Sequence, residues 1–97
     1  MATGFVQIIE FKTSRYDEVR ALVDERRDRP GLALGGIIAE DRDRPGIYFN
    51  IVEFESYETA MENSNSPETQ EFAARMAELC DGPAKFTNLN LLERFHN

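Results

Sequence analysis

The chain has no tryptophan, one cysteine, one histidine and four prolines among its 97 residues. A lone cysteine, Cys80, cannot form an internal disulfide, and with a single histidine it falls short of the ligands a structural zinc requires. The paired acids Asp41/Asp43 and Glu53/Glu55 lack the spacing of a calcium loop and read as solvated charge, so no metal is expected. Positive charge is scarce as well: eleven Lys and Arg stand against eighteen Asp and Glu, a formal charge of −7. Such a field repels nucleic-acid phosphate and anionic membrane surfaces, so neither is an expected partner. No apolar run approaches the ~20 residues of a spanning helix. The first residues, "MATGFVQIIEFKTS", lack a basic region followed by a long apolar core, so no signal peptide is expected either. There is no phosphate-binding glycine loop, and no persuasive serine–histidine–acid set. These absences point to a cytoplasmic chain with no nucleic-acid and no membrane partner.

What remains is ordinary globular material, 41% hydrophobic and 30% charged. A chain of this length supports one domain, residues 1–97, with a modest core. "GFVQIIEFKT" (Gly4–Thr13) is rich in β-branched and aromatic residues and predicts a first strand. Ser14, with Asp17 three positions on, suits a helix start, and Tyr16, Val19, Leu22 and Val23 follow at helical spacing. Arg26, Arg27 and Arg29 gather where cations suit the helix dipole, and Pro30-Gly31 stops the helix. "LALGGIIAE" (Leu32–Glu40) predicts a second strand whose Gly35-Gly36 pair implies a bulge or a close backbone approach. "IYFNIVEF" (Ile47–Phe54) is the clearest strand. Ser56 caps a short helix in "YETAMEN", and Ser66-Pro67 opens a longer one with Phe72, Ala73, Met76, Leu79 and Cys80 on one face. Gly82-Pro83 ends it, and "KFTNLNLLERF" (Lys85–Phe95) is the last strand.

The order β-α-β-β-α-β is the split βαβ pattern of a ferredoxin-like α+β sandwich, an antiparallel sheet with helices on one face. The pentapeptide "RDRPG" occurs twice, at Arg27–Gly31 and Arg42–Gly46. Its first copy follows a helix and its second joins two strands, so it is turn chemistry and no internal repeat. Both alternating sets of the central strands are apolar. Ile47, Phe49 and Ile51 oppose Tyr48, Val52 and Phe54; Phe5, Ile9 and Phe11 oppose Val6 and Ile8. Two helices cannot cover both faces, which predicts a homodimer packed sheet against sheet.

With "VEFESYETAMENSNSPETQEFAARM" as its anchor, the chain resembles the dimeric α+β barrel superfamily, in its antibiotic-biosynthesis monooxygenase-like branch. The resemblance covers nearly the whole length in element order. It implies a dimeric barrel handling a small apolar or aromatic compound in a helix–sheet cavity, with cofactor-independent oxidation as the enzymatic expectation and no cofactor. Because the superfamily spans many roles, a non-catalytic ligand-binding or stress-associated dimer stands as the alternative. Many members carry a histidine four residues before the helix-opening proline, where this chain has Asn63, and a second one after it, where this chain has Glu68. Haem-degrading members use a tryptophan near the Asn63 position and a histidine on the next helix, near Ala73 here. Neither is present, which disfavours haem degradation. Those members also place an asparagine on the inner face of the first strand, where Gln7 lies.

The residues themselves put forward Gln7 and Asn50 as amides inside apolar strands. Each either bonds across strands or water, or meets a ligand. Tyr48 and Tyr57 offer phenols to an aromatic ligand, or serve as amphipathic packing. Asn63 is either a binding residue at the branch's variable position or a helix-end asparagine. Cys80, on an apolar helix face without a neighbouring base, reads as inert. No catalytic residue is assigned.

Overall fold

A computed structural model describes residues 4–27 and 31–97. The elements run β1 (Gly4–Lys12), α1 (Tyr16–Arg27), β2 (Gly35–Glu40), β3 (Ile47–Phe54), α2 (Tyr57–Ser64), α3 (Pro67–Leu79) and β4 (Lys85–Leu91). The four strands form one antiparallel sheet in the order β2-β3-β1-β4. This is the ferredoxin-like arrangement expected from the element order, with the longest apolar strands, β1 and β3, at the centre.

Period-two alternation together with the register assigns every strand residue to a face. Phe5 pairs with Phe54, Gln7 with Val52, Ile9 with Asn50 and Phe11 with Tyr48. Phe5 and Phe54 pack against Ala60 of α2, so this set is the helix-covered face. Val6, Ile8 and Ile51 then belong to the opposite, open face, with Ile37 of β2 and Leu89 of β4 in register beside them. Ile37 is 63% exposed and Leu89 42%. The second apolar face inferred from the alternation is therefore uncovered within one chain.

Local chemistry explains the boundaries. Ser56 Oγ accepts the Thr59 N–H at 3.0 Å to start α2, and Ser66 Oγ accepts the Thr69 N–H at 3.2 Å with Pro67 behind it to start α3. Both caps are the ones the sequence predicts. At α1 the expectation needs correcting. Ser14 is exposed, and it is Thr13 that accepts the Arg15 N–H, at 2.9 Å. Thr13, 3% exposed, also donates to the Leu79 carbonyl at 2.6 Å, while the Asp81 N–H reaches the Lys12 carbonyl at 2.8 Å. A buried hydroxyl must find partners, and here it locks the end of β1 to the end of α3.

The two "RDRPG" copies also separate. Asp28, Arg29 and Pro30, where the helix stop was expected, lie outside the described residues. In the second copy Gly46 takes φ +90, which favours glycine, and Asp41 accepts the backbone N–H groups of Asp43 and Arg44 while pairing with the Arg44 guanidinium. Those bonds hold the Asp41 carboxyl below its usual range, with the Arg44 side chain as the largest cause. The strands themselves are shorter than expected: β2 starts at Gly35 rather than Leu32, and β4 ends at Leu91 rather than Phe95. Beyond β4, Arg94 pairs with Glu53 on the open face, leaving Leu92 and Phe95 71% and 82% exposed.

Gly35-Gly36 makes no bulge, because Gly35 and Gly36 pair in unbroken register with Glu53 and Val52. Close approach is the correct reading, and only for one of the two. A Cβ on Gly36 would lie 2.5 Å from the Ile51 carbonyl oxygen, whereas one on Gly35 meets nothing within 4 Å. Gly36→Ala should therefore cost about 1–3 kcal/mol by forcing β2 and β3 apart, and Gly35→Ala no more than about 0.5 kcal/mol in either direction. Urea melts of the two variants check this; equal stability would contradict the register.

Candidate functional site

The helix-covered face of the sheet is fully packed at its two ends and less deeply buried between them. At one end Phe5, Phe54 and Ala60 are 2%, 3% and 1% exposed, with Val52 and Met61 packed against them and the Tyr57 ring edge-on to Phe5 at 5.5 Å. At the other end Phe11, 4% exposed, stacks on Tyr48 at 5.6 Å, and Tyr48 stacks on Tyr16 of α1 at 4.5 Å. Between these ends the register lays down two rungs. One is Gly36–Val52–Gln7–Asn88, the other Ile38–Asn50–Ile9–Phe86. Every residue of both rungs is half-buried or exposed. Val19 and Leu22 of α1, 0% and 4% exposed, complete the core on this side, and the two rungs form an incompletely buried, partly polar strip between the packed ends.

Gln7, Tyr48 and Asn50 share this face, as the placement of Phe54 against the helices requires. Gln7 Nε2 donates to Asn88 Oδ1 at 3.2 Å, so the first-strand amide bonds across strands. That bond uses one of the two amide hydrogens of Gln7 and leaves its carbonyl oxygen available. The half-buried Asn50 amide makes no side-chain hydrogen bond within the described residues, so its donors and acceptor are free for water or a ligand. Tyr48 is held by its two ring stacks, and burial, followed by the nearby Glu40 carboxylate, pushes its phenol above the ordinary tyrosine range. It remains a proton-bearing donor at neutral pH.

Tyr57 and Asn63 come from α2 instead. Tyr57 is 52% exposed and covers the Phe5 end with its ring. Asn63 Oδ1 accepts the Leu32 N–H at 3.0 Å, and its side chain leaves no room for a Cβ on Gly31. Asn63 therefore clamps the segment leading into β2, the helix-end role the sequence left open. Beside it Arg26 donates to Thr69 Oγ1 at 2.7 Å, and Arg75 pairs in a fork with Glu25 at 3.0 and 3.3 Å, tying α1 to α3. Asn88 is the residue that reading the strands missed. Its signal was the alternation Phe86, Asn88, Asn90 in "FTNLN", which places two amides on one face of the edge strand.

Cys80 caps the end of α3, half-buried, and desolvation followed by the Asp81 charge pushes its thiol up, so it stays protonated. No group of three or more metal-ligating side chains occurs among the described residues, nor any helix long and apolar enough to cross a membrane. An apolar depression of about 370 Å³ does occur, but on the open face, where Val6, Leu34, Ile37 and Ile51 line it with Glu53 at its rim.

A four-stranded antiparallel sheet with helices on one face and an uncovered apolar second face defines a ferredoxin-like α+β chain. Solved structures place it more closely, in the fold of the antibiotic-biosynthesis monooxygenase-like proteins. SnoaB, a cofactor-independent oxygenase from Streptomyces nogalater, superposes with a TM-score of 0.81 at 12% identity, over 99% of this chain and 100% of its own. A candidate antibiotic biosynthesis monooxygenase from Deinococcus radiodurans gives 0.78 at 14% identity over 96% and 97%. Rv0793 from Mycobacterium tuberculosis gives 0.72 at 21% over 94% and 97%. No protein-family model and no curated protein matches the sequence. The likeness is one of fold.

Proposed function

We propose that the chain is a homodimer that takes up a small, mainly apolar or aromatic compound between sheet and helices, and oxidises it without a cofactor. The observation that carries the reading is the pair of incompletely buried rungs, where Gln7 and Asn50 set amides into a mainly apolar layer between two packed ends. Buried or half-buried amides of this kind orient a ligand while the surrounding side chains supply the apolar contact. The fold shared with SnoaB supports the oxygenase reading.

An oxygenase that takes no electrons from a cofactor draws them from its substrate. The substrate is then a carbon acid, such as a phenolic ketone with an activated methylene. It loses a proton to solvent water, its carbanion reduces dioxygen to a peroxide anion that takes a proton back from water, and the resulting hydroperoxide loses water. In balance, one methylene group and one dioxygen molecule become one ketone carbonyl and one water. The free amide N–H groups of Gln7 and Asn50 are suited to hold the enolate oxygen as its charge develops. Tyr48, fixed by stacking and with its phenol turned to Glu40, walls one end, and Tyr57 covers the Phe5 end. Asn63 contributes by holding the Leu32 segment.

One observation favours the alternative, a dimer that binds its ligand without turnover. The two middle rungs hold no carboxylate, imidazole or amine to accept a substrate proton. Incubation with a hydroxyanthrone under air separates the two, with quinone absorbance and oxygen uptake followed beside a calorimetric titration. Turnover above the uncatalysed rate, falling about tenfold or more in Gln7→Leu, is expected. Binding without turnover would establish the alternative, and no binding would overturn both.

The partner in this reading is a second copy of the chain on the open face, with no nucleic acid or membrane involved. Ile37, Leu89 and the depression between Val6 and Ile51 form an apolar patch that a second sheet would remove from water. Leu92 and Phe95, on either side of Arg94 in sequence, are exposed as well.

A further inference from the structure

The helix-side row of β4 is unlike the rest of the molecule's surface. Phe86, Asn88 and Asn90 follow one another at period two, in register with Ile9, Gln7 and Phe5. Phe86 is 58% exposed, and Asn88 and Asn90 are exposed, so the helices leave this row open at the sheet edge. Lys85 and Thr87 face the other way, and the row itself carries no ionisable group. Asn90 makes no side-chain hydrogen bond within the described residues, and Asn88 uses its carbonyl oxygen to accept from Gln7, leaving both its amide hydrogens outward. An exposed aromatic ring is thus followed, about 7 Å and about 14 Å along the strand, by two neutral amides.

We propose that this row is a subsite for a neutral polyhydroxylated ring, a glycosyl group, carried by the compound whose apolar part enters between sheet and helices. The chemistry matches at three points. A sugar ring has an apolar C–H face that stacks on an aromatic side chain while its rim stays hydrated. Its vicinal hydroxyls are paired donors and acceptors, which a primary amide with two donors and one acceptor complements. The net charge of −7 disfavours phosphorylated or carboxylated ligands, and the row offers no carboxylate to pair with a cation, which leaves neutral ones. Gln7 joins the two regions, since it stands on a middle rung and bonds to Asn88. A ligand spanning both would be an aromatic glycoside, its aglycone against Asn50 and Ile9 and its sugar on Phe86.

This inference rests on the interior binding reading for the aglycone, but its test is separable. The probes are 4-methylumbelliferone, its β-glucoside and β-galactoside, and methyl β-glucoside. Binding is followed by fluorescence and by the side-chain amide signals of Asn88 and Asn90 in nitrogen–proton correlation spectra. At least one glycoside should bind about tenfold more tightly than the aglycone, and should move the Asn88 signals more than those of Asn90, about 14 Å from Phe86 along the strand. Asn88→Ala and Phe86→Ala should each bring that advantage to twofold or less, read as the ratio of glycoside to aglycone affinity within the same variant. These positions are exposed, so both variants should fold, as circular dichroism would verify. Methyl β-glucoside shifting the same signals supports the subsite even if the aglycone does not bind. An aglycone that binds as tightly as both glycosides overturns the subsite and leaves the interior reading standing. Amide signals that move with no sugar-bearing probe overturn it outright.

Discussion

Ile51→Glu should convert the proposed dimer to a folded monomer, with the dissociation constant rising by about a thousandfold or more. Ile51 sits at the middle of the open face, paired with Ile8 on one side and Ile37 on the other. In a two-fold dimer each copy brings the substituted residue to the same apolar layer, so two carboxylates enter a dry interface at once. Each ion costs several kcal/mol to desolvate without a partner, and the two repel each other as well. Within one chain the same position is only half-buried, so the monomer keeps its core and its circular dichroism spectrum. Light scattering at micromolar to tens of micromolar concentration reads the result. A wild-type chain that is monomeric there would defeat the dimer, and a dimeric Ile51→Glu would move the interface to another surface. Ile51→Val, which keeps the face apolar, should leave the mass unchanged.

Phe54→Ala should lower stability by about 3–5 kcal/mol, a large share of the ~5–15 kcal/mol typical of a domain. The ring is 3% exposed and forms the plug with Phe5 and Ala60 that fixes α2 on β1 and β3. Removing it takes away buried apolar area and leaves a cavity that the β3–α2 junction cannot collapse into, since Ser56 pins that helix start by its cap. The melting temperature should fall by at least about 12 °C. Because assembly adds to apparent stability, the comparison belongs at one protein concentration and one oligomeric state. Phe86→Ala is the contrast: its ring is 58% exposed, and the change should stay within about 1 kcal/mol. If the two cost the same, the division between packed ends and open strip is wrong.

That division explains how far the sequence could be read. The caps at Ser56 and Ser66 were legible because capping is decided within four residues. The short β2 was not. Leu32 and Leu34 continue an apolar alternation, yet only the pairing partner decides where ladder bonds begin. The strand start at Gly35 thus reflects β3 rather than "LALGG" itself. Thr13 was passed over for Ser14 because the two hydroxyls look alike in sequence, and the difference lies in Leu79, sixty-six positions away. Gln7 and Asn50 were visible as amides in apolar runs, whereas the bond from Gln7 to Asn88 crosses eighty-one positions.

The sequence by itself determined the element order and the two-sided apolarity of the central strands. These are properties of neighbours in the chain, where period, capping and composition act directly. Only the tertiary structure decided which rungs are packed and which are open. A period-two pattern assigns a residue to a face, while its depth depends on the residues paired across the sheet and on the helix above it. Phe5 and Phe86 are both phenylalanines on the same face; one is sealed beneath α2, and the other stands on the bare edge of β4.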